Sequence, residues 1–266
     1  MYTVYTKPLR REDLEMRKLE MMQFSKYCIM AAVCLCLVFS QAQARDLKVS
    51  VPCPLSPLVD SKDKGILIDL LKAMGEEYKG GKITWDVFPF PRSLENVEKG
   101  RADFHMPYIT PHNPQKIRFQ YSSEVIFKVI IALYTNKNNK EINPKNLTKS
   151  KIETDEGVKY IFESEIPNIT GSPSIESSLQ KVDMGRIDAW LMAMPESDMA
   201  LKKLGLKNIK RWEYGKYDVK AVLPLGDKGK EVDKILTDLI GKLKANGKYQ
   251  KIMGPILDQK FENWQQ

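Results

Sequence analysis

The chain has 266 residues, of which 42% are hydrophobic and 29% charged, with 42 Lys and Arg against 34 Asp and Glu. These values are typical of a folded globular protein and exclude a disordered chain, a collagen-like chain and a multi-pass membrane protein. The net charge of +8 comes mainly from lysines that are interleaved with acids along the sequence. No basic run is interleaved with aromatic residues, so we predict a solvated lysine-rich surface and no nucleic-acid partner.

The N-terminal segment is typical of an export signal. Residues 28–40 form an apolar run of 13 residues, whereas a membrane span needs about 20. Lys26 precedes this run, and an A-x-A sequence follows it at 42–44, which is the pattern of a cleaved signal peptide. We predict cleavage after Ala44. Because charged residues crowd the segment ahead of Met21, we also expect translation to begin at Met21 or Met22.

The cysteines constrain the exported chain, residues 45–266. Three of the four cysteines precede the predicted cleavage site, so Cys53 alone remains. An intramolecular disulfide is then impossible, and the fold has to rest on its hydrophobic core, which is feasible at this length. We expect a soluble periplasmic protein.

The predicted elements begin with a strand at 47–51, where apolar and polar residues alternate. A helical stripe of apolar residues follows at 66–74. Long apolar strands are predicted at 125–134 and 219–225. An amphipathic helix at 232–243, whose apolar residues step by three and one, follows the second of these strands.

An internal repeat is the most informative feature of the sequence. The pattern S-L-x-x-V-x-x-G-R-x-D occurs at 93–103 and again 85 residues later, at 178–188. Each copy predicts a helix that ends at a glycine and is followed by a short buried strand. Two such β-α-β units predict two similar α/β lobes, in which the shared Gly, Arg and Asp positions are structural.

Eight motifs together carry a resemblance to a known family. They are GILIDLL at 65–71, FPRSL at 90–94, GRAD at 100–103, ITP at 109–111, FQYS at 119–122, GRID at 185–188, GKY at 247–249 and FENW at 261–264. In this order they resemble the family 3 extracellular solute-binding proteins, the periplasmic receptors of polar amino-acid ABC importers. The resemblance covers essentially all of residues 45–266.

The resemblance implies an α/β fold of the type II periplasmic-binding-protein class, with two lobes joined by a two-strand hinge. Lobe one is expected at 45–131 plus 222–266, and lobe two at 132–221. The ligand would lie in the cleft between the lobes, and it would favour closure because it touches both.

The usual amino-acid anchors of this family are missing from the sequence. Members that bind α-amino acids typically hold the carboxylate with an Arg a few residues after the ITP-like turn, where this chain has Asn113. They usually hold the amine with an Asp after the second D-A strand, where this chain has Ala193. The resemblance therefore carries over the fold better than the ligand.

Replacement anchors are sought where strands end, since ligands of open α/β sheets bind beyond the carboxyl ends of the strands. We expect Arg92 to take a carboxylate or a phosphate in bidentate fashion; the alternative is a helix-start Arg that pairs with a surface acid. Glu196 is the candidate to bind a cation in place of the Asp that Ala193 replaces. Tyr108 and Trp190 are candidate aromatic walls or, alternatively, core residues. The remaining ligand-binding candidates are Thr110, Cys53, Ser56, Phe90 and Thr154.

No catalytic, metal or cofactor site is predicted. His105 and His112 are too few and too far apart to form an ordinary metal cluster with Cys53, and no ordered Ser/His/Asp set or glycine-rich phosphate loop is visible. We expect a monomer that captures a small polar or anionic solute and presents it to an ABC-transporter permease. A free periplasmic sensory module and a dehydratase-like enzyme on the same fold remain alternatives.

Overall fold

The computed structural model describes residues 45–112 and 118–258. The predicted signal segment with its translation start, Asn113 and the FENW motif lie outside the described residues. None of the described helices has the length and hydropathy to cross a membrane.

Strands and helices alternate along residues 47–109 and again along residues 152–204, as the sequence repeat predicts. The strands are β1 (Leu47–Pro52), β2 (Ile83–Phe88), β3 (Phe104–Ile109), β4 (Gln120–Tyr121), β5 (Phe127–Asn136), β6 (Ile152–Asp155), β7 (Thr170–Ser172), β8 (Ala189–Ala193) and β9 (Ile209–Leu223). The helices are α1 (Ile66–Glu77), α2 (Phe90–Glu98), α3 (Lys159–Phe162), α4 (Ile175–Asp183), α5 (Met194–Leu204), α6 (Asp227–Ala245) and α7 (Lys248–Leu257). The predicted α/β class is confirmed.

The strands belong to one sheet in the order β2-β1-β3-β9-β5-β8-β6-β7, with β4 paired to β9. At one end β1 runs parallel to β2 and β3, and at the other end β6 runs parallel to β7 and β8. We call residues 47–109 the first repeat unit and residues 152–204 the second repeat unit. Each contains one copy of the sequence repeat.

The strands β5 and β9 join the two repeat units. They pair antiparallel from Phe127↔Val219 to Asn136↔Ile209, with a register shift between Ile131 and Ala132. On one side β9 pairs with β3, and on the other β5 pairs with β8. The strand β9 begins at Ile209, well before the predicted 219–225. The sequence did not reveal its first half, because this part is polar and lacks the apolar run that marks a strand. Hydrogen bonds to β5 hold it in the sheet.

The glycines and aspartates of the repeat have the structural roles that the sequence predicts. Gly100 and Gly185 follow the ends of their helices with φ angles of 69° and 68°, a left-handed conformation that glycine adopts without steric cost. The backbone N–H of Lys48 donates to an Asp103 carboxylate oxygen at 2.8 Å, and that of Lys151 donates to Asp188 at 2.7 Å. Each Asp thereby ties its own strand to the neighbouring parallel strand.

Candidate ligand-binding cleft

A cleft of about 570 Å³ lies at the carboxyl ends of the parallel strands. Pro52 at the end of β1, Ile109 at the end of β3, Asp155 at the end of β6 and Ala193 at the end of β8 all line it. Both repeat units therefore contribute walls, and the volume is that of a small-molecule site.

The wall from the first repeat unit carries no charged residue. It is formed by Pro52, Cys53, Pro54, Leu55, Ser56, Leu58, Phe90, Pro107 and Ile109. Phe90 lies at the start of α2, and its ring packs edge to face against His105 at a centroid distance of 5.2 Å. A Cβ atom added at Gly157 of the second repeat unit would lie 3.0 Å from the Phe90 ring. Glycine at 157 thus lets the backbone of the second unit approach Phe90 closely.

A second contact between the units is aromatic. Tyr108 of the first unit stacks on Tyr160 of the second with ring centroids 5.5 Å apart. Phe119 and Tyr121 pack against the same Tyr108 ring. The two walls of the cleft therefore touch through paired rings beside the cavity.

The wall from the second repeat unit supplies every charged residue among the described residues that line the cleft. These are Asp155, Glu176, Glu196 and Lys203. The Lys203 ammonium lies 3.6 Å from a Glu176 carboxylate oxygen, and the Lys203 side chain is 76% exposed. This pair occupies the solvent-facing part of the lining.

Glu196 is the most unusual charged residue of the lining. It lies in the first turn of α5 and is only 7% exposed. Its Oε2 atom is buried and has no hydrogen-bond partner among the described residues. Burial raises the pKa of Glu196 to about 7, and the nearby Asp155 carboxylate adds to the rise.

Asp155 is the second acid of this pair. One of its carboxylate oxygens accepts the Gly157 backbone N–H at 2.8 Å. Burial raises the pKa of Asp155, although the hydrogen bond from Gly157 works in the opposite direction. Two desolvated carboxylates facing an apolar wall form a site whose electrostatics favour a cation.

Four of the predicted site residues line the cleft: Cys53, Ser56, Phe90 and Glu196. Arg92 does not. Its side chain is 51% exposed and forms an ion pair with Glu95 at 2.8 Å, which is the alternative that the sequence left open. The helix α2 begins at Phe90, so Phe90 occupies the turn beside the cleft and Arg92 lies farther along the helix.

The other four predicted residues, Tyr108, Thr110, Thr154 and Trp190, do not line the cleft either. Tyr108 is buried in the aromatic cluster, and Trp190 is fully buried with its indole N–H donating to Ser197 Oγ at 3.0 Å. Thr154 is fully buried, and the Thr154 and Thr110 hydroxyls have no partner among the described residues.

The sequence reasoning did not single out Asp155. The available signal was an acidic residue directly after Thr154, which is itself one of the predicted ligand-binding candidates. In β6 the side chains alternate between faces, so Thr154 points into the core and Asp155 into the cleft.

His105 lies beneath the cleft rather than in it. It is fully buried, its Nδ1 lies 2.8 Å from Ser93 Oγ, and its Nε2 lies 3.1 Å from the Pro107 carbonyl oxygen. Burial lowers its pKa to about 3, so the ring is neutral at physiological pH. In the part of the chain that the structure describes, no three His, Cys, Asp or Glu residues are grouped to hold a metal ion.

Comparison with known proteins identifies the family. The model of the bacterial extracellular solute-binding proteins, family 3, matches residues 52–257. No curated protein matches the chain in sequence.

Solved structures share the fold at low identity. A histidine kinase sensor domain with similarity to periplasmic binding proteins has a TM-score of 0.68 at 16% identity, covering 82% of this chain and 98% of that one. A substrate-binding protein of an ABC uptake transporter from Streptococcus pneumoniae, with bound histidine, has a TM-score of 0.65 at 19% identity, covering 83% and 96%. An ancestral amino acid-binding protein, a precursor of cyclohexadienyl dehydratase, has a TM-score of 0.63 at 18% identity, covering 80% and 95%. Together with the family match, this fold shows that the chain belongs to family 3 of the bacterial extracellular solute-binding proteins and has their two-lobe α/β fold.

Proposed function

We propose that this protein is a periplasmic receptor that captures a small solute in the cleft and delivers it to an ABC importer. The observation that carries the proposal is the cleft itself, about 570 Å³ in volume and lined by both repeat units. A solute that contacts both walls stabilises the closed form relative to the open form, and this difference drives closure. Export through the predicted signal segment, with cleavage after Ala44, belongs to the same proposal.

Opening would separate the contacts that join the two walls beside the cavity. These are the approach of Phe90 to Gly157 and the stacking of Tyr108 on Tyr160. The strands β5 and β9 would bend at their register shift near Ile131, since a bulge interrupts the ladder there. The predicted lobes, 45–131 plus 222–266 and 132–221, are part of this proposal.

Binding is proposed to be reversible and without turnover of the solute. His105, a natural candidate for a general base, is fully buried and neutral. The acids in the cleft are proposed as ligand contacts. The protein is expected to act as a monomer.

The proposal is tested with residues 45–266 and a panel of amino acids, amines, carboxylates, sugars, phosphates and nucleosides. Ligand at 100 times its dissociation constant adds about 2.7 kcal/mol to the free energy of unfolding, which shifts the melting temperature measurably. The expected result is stabilisation by one class of compound, recovered unchanged after incubation.

The matched variants are Ala200→Phe, which fills the cleft, and Ala245→Phe, on the exposed surface of α6. We expect Ala200→Phe to abolish the ligand-induced shift and Ala245→Phe to retain it. Silence of the wild type across the panel, or a shift that survives in Ala200→Phe, would overturn the cleft as the binding site. Chemical conversion of the compound would indicate the dehydratase-like alternative. Binding without import of the compound by an ABC transporter would indicate the sensory alternative.

A further inference from the structure

We propose that the cleft selects an organic cation: an amine with an apolar body and no α-carboxylate. This inference rests on the proposed function, because it names the class of solute that the same cleft receives. It differs from the small polar or anionic solute expected from the sequence.

Charge is distributed unevenly over the lining of the cleft. The first repeat unit and the strands β5 and β9 contribute uncharged residues to the cleft, whereas the second unit contributes three acids and one lysine. A ligand that fits both walls therefore needs an apolar surface on one side and a positive group on the other.

The surroundings of Glu196 also favour a positively charged ligand. The residue is buried, and its Oε2 atom lacks a hydrogen-bond partner among the described residues. A buried carboxylate without a partner is costly unless a positive or hydrogen-bond-donating group meets it. Because Asp155 lines the same cleft from the end of β6, an ammonium group placed between the two acids would satisfy both.

The described lining of the cleft offers a ligand carboxylate little positive charge. Among the lining residues that the structure describes, Lys203 is the cationic side chain, and it lies beside Glu176. Arg92 pairs with Glu95 and does not line the cleft. An α-carboxylate would then meet acids and apolar groups, which disfavour it. An amine without a carboxylate avoids this unfavourable contact.

The apolar wall sets the body of the ligand. Phe90, Ile109 and Met199 line the cavity together with the aliphatic side chains of Val129 and Val219. A hydrocarbon chain or an aromatic ring packs against such surfaces, and burying it contributes about 25 cal/mol per Å².

The test uses pairs of compounds that differ only by the α-carboxylate: phenethylamine with phenylalanine, cadaverine with lysine, and agmatine with arginine. Affinities are measured by isothermal titration calorimetry on residues 45–266. We expect the amine of at least one pair to bind about tenfold or more tightly than its amino acid, because Lys203, the cationic side chain of the described lining, already lies beside Glu176. Equal or tighter binding of the amino acid in each pair would overturn the inference and leave the proposed receptor function intact.

Variants of the two acids test whether they bind the ammonium group of the ligand. Glu196→Gln and Asp155→Asn should each weaken binding of the preferred amine about tenfold, since each removes one charge from a desolvated site. Asp238→Asn, on an exposed pair with Lys242 in α6, is the control and should leave affinity unchanged. Retained affinity in both cleft variants would overturn the inference.

A measurement on the wild type does not depend on the folding of any variant. Deprotonation of Glu196 creates the charge that the amine needs, so affinity should rise about tenfold in all as pH is raised through the pKa of this group, and level off above it. The acid Asp155 on β6, Glu176 on α4 and Lys203 on α5 face the same cleft, and His105 lies buried beneath it. An affinity for the amine that does not change with pH would contradict the proposal. Absence of binding by all six compounds would overturn the inference, whereas silence across the full panel of amino acids, amines, carboxylates, sugars, phosphates and nucleosides would count against the receptor function itself.

Discussion

The two repeat units share a scaffold and differ where they meet the cleft. In both, the strand that follows the repeat is tied to the neighbouring strand by an Asp: Asp103 bonds to Lys48 in the first unit, and Asp188 bonds to Lys151 in the second. Four residues beyond these lysines the chain enters the cleft, with Pro52 in the first unit and Asp155 in the second. The scaffold is thus duplicated, while the charged chemistry of the lining belongs to one copy.

The interiors of the two units also differ in charge. Ser93 Oγ lies 3.0 Å from Ser50 Oγ and 2.8 Å from the neutral His105 ring. The equivalent Ser178 donates to Glu153, which also accepts from Lys181 Nζ at 2.8 Å. The first unit satisfies the repeat serine with neutral groups and the second with an ion pair, so the same helix position tolerates two electrostatic solutions provided that each is satisfied.

The largest expected effect follows from removing one of the acids by which the second repeat unit differs from the first, Glu196. In the unliganded protein, Glu196 has a folded-state pKa of about 7 against 4.5 for the unperturbed group. The unfolded chain therefore loses this proton first as pH rises, and the free energy of unfolding falls over this range. We expect the free energy of unfolding of the wild type to fall by about 2 kcal/mol between about pH 5 and about pH 8 because of this group, and we expect Glu196→Gln to lack this fall.

Urea unfolding of wild type and Glu196→Gln at the two pH values checks this prediction. The partly exposed Glu95 of the first unit supplies the control Glu95→Gln, because the pKa of Glu95 is lowered by its hydrogen bonds to Lys99 and Arg92. The same pH dependence in wild type and Glu196→Gln would show that this carboxyl is not desolvated.

A smaller effect tests whether the scaffold is duplicated in energy as well as in geometry. Asp103→Ala and Asp188→Ala each remove a charged acceptor from a backbone N–H, which should lower the free energy of unfolding by about 1.5 kcal/mol. Chemical denaturation of the two variants measures the changes. Destabilisation confined to one variant would mean that the two hydrogen bonds, although similar in geometry, contribute unequally to the free energy of unfolding.

The smallest effect concerns the glycines that end the repeat helices. Gly100 and Gly185 have φ angles of 69° and 68°, and an added Cβ would meet no atom within 4 Å. Replacement by Ala should therefore cost only the backbone strain, about 1 kcal/mol in either unit. Thermal melts of Gly100→Ala and Gly185→Ala check this, with Gly241→Ala in α6 as a control that should be neutral or stabilising because Gly241 is helical and has open space around it. A destabilisation much above this value at either position would point to a packing role.

Several features of the fold were predictable because they rest on local rules. The periodic apolar residues identified β1, α1 and α6, and the repeated glycines marked helix ends. The strand β9 was predicted only in its apolar second half. Residues 209–216 are mostly polar, and their strand conformation depends on pairing with β5, a contact made far away in sequence.

The site was predictable only in part, for reasons of geometry. The rule that ligands bind beyond strand ends located Cys53, Ser56, Phe90 and Glu196 at the cleft. It did not distinguish Thr154 from Asp155, since neighbouring residues of a strand face opposite sides and the start of the alternation is set by packing.

The amino-acid sequence by itself determined the α/β class, the duplicated β-α-β unit and the family, because periodicity, glycine caps and ordered motifs are local and linear features. The tertiary structure alone decided which acids share the cleft. Asp155 and Glu196 are separated along the chain by α3, β7, α4 and β8, and parallel strand pairing brings both to the same edge of the sheet. Their burial beside an apolar wall, rather than their residue type, raises their pKa.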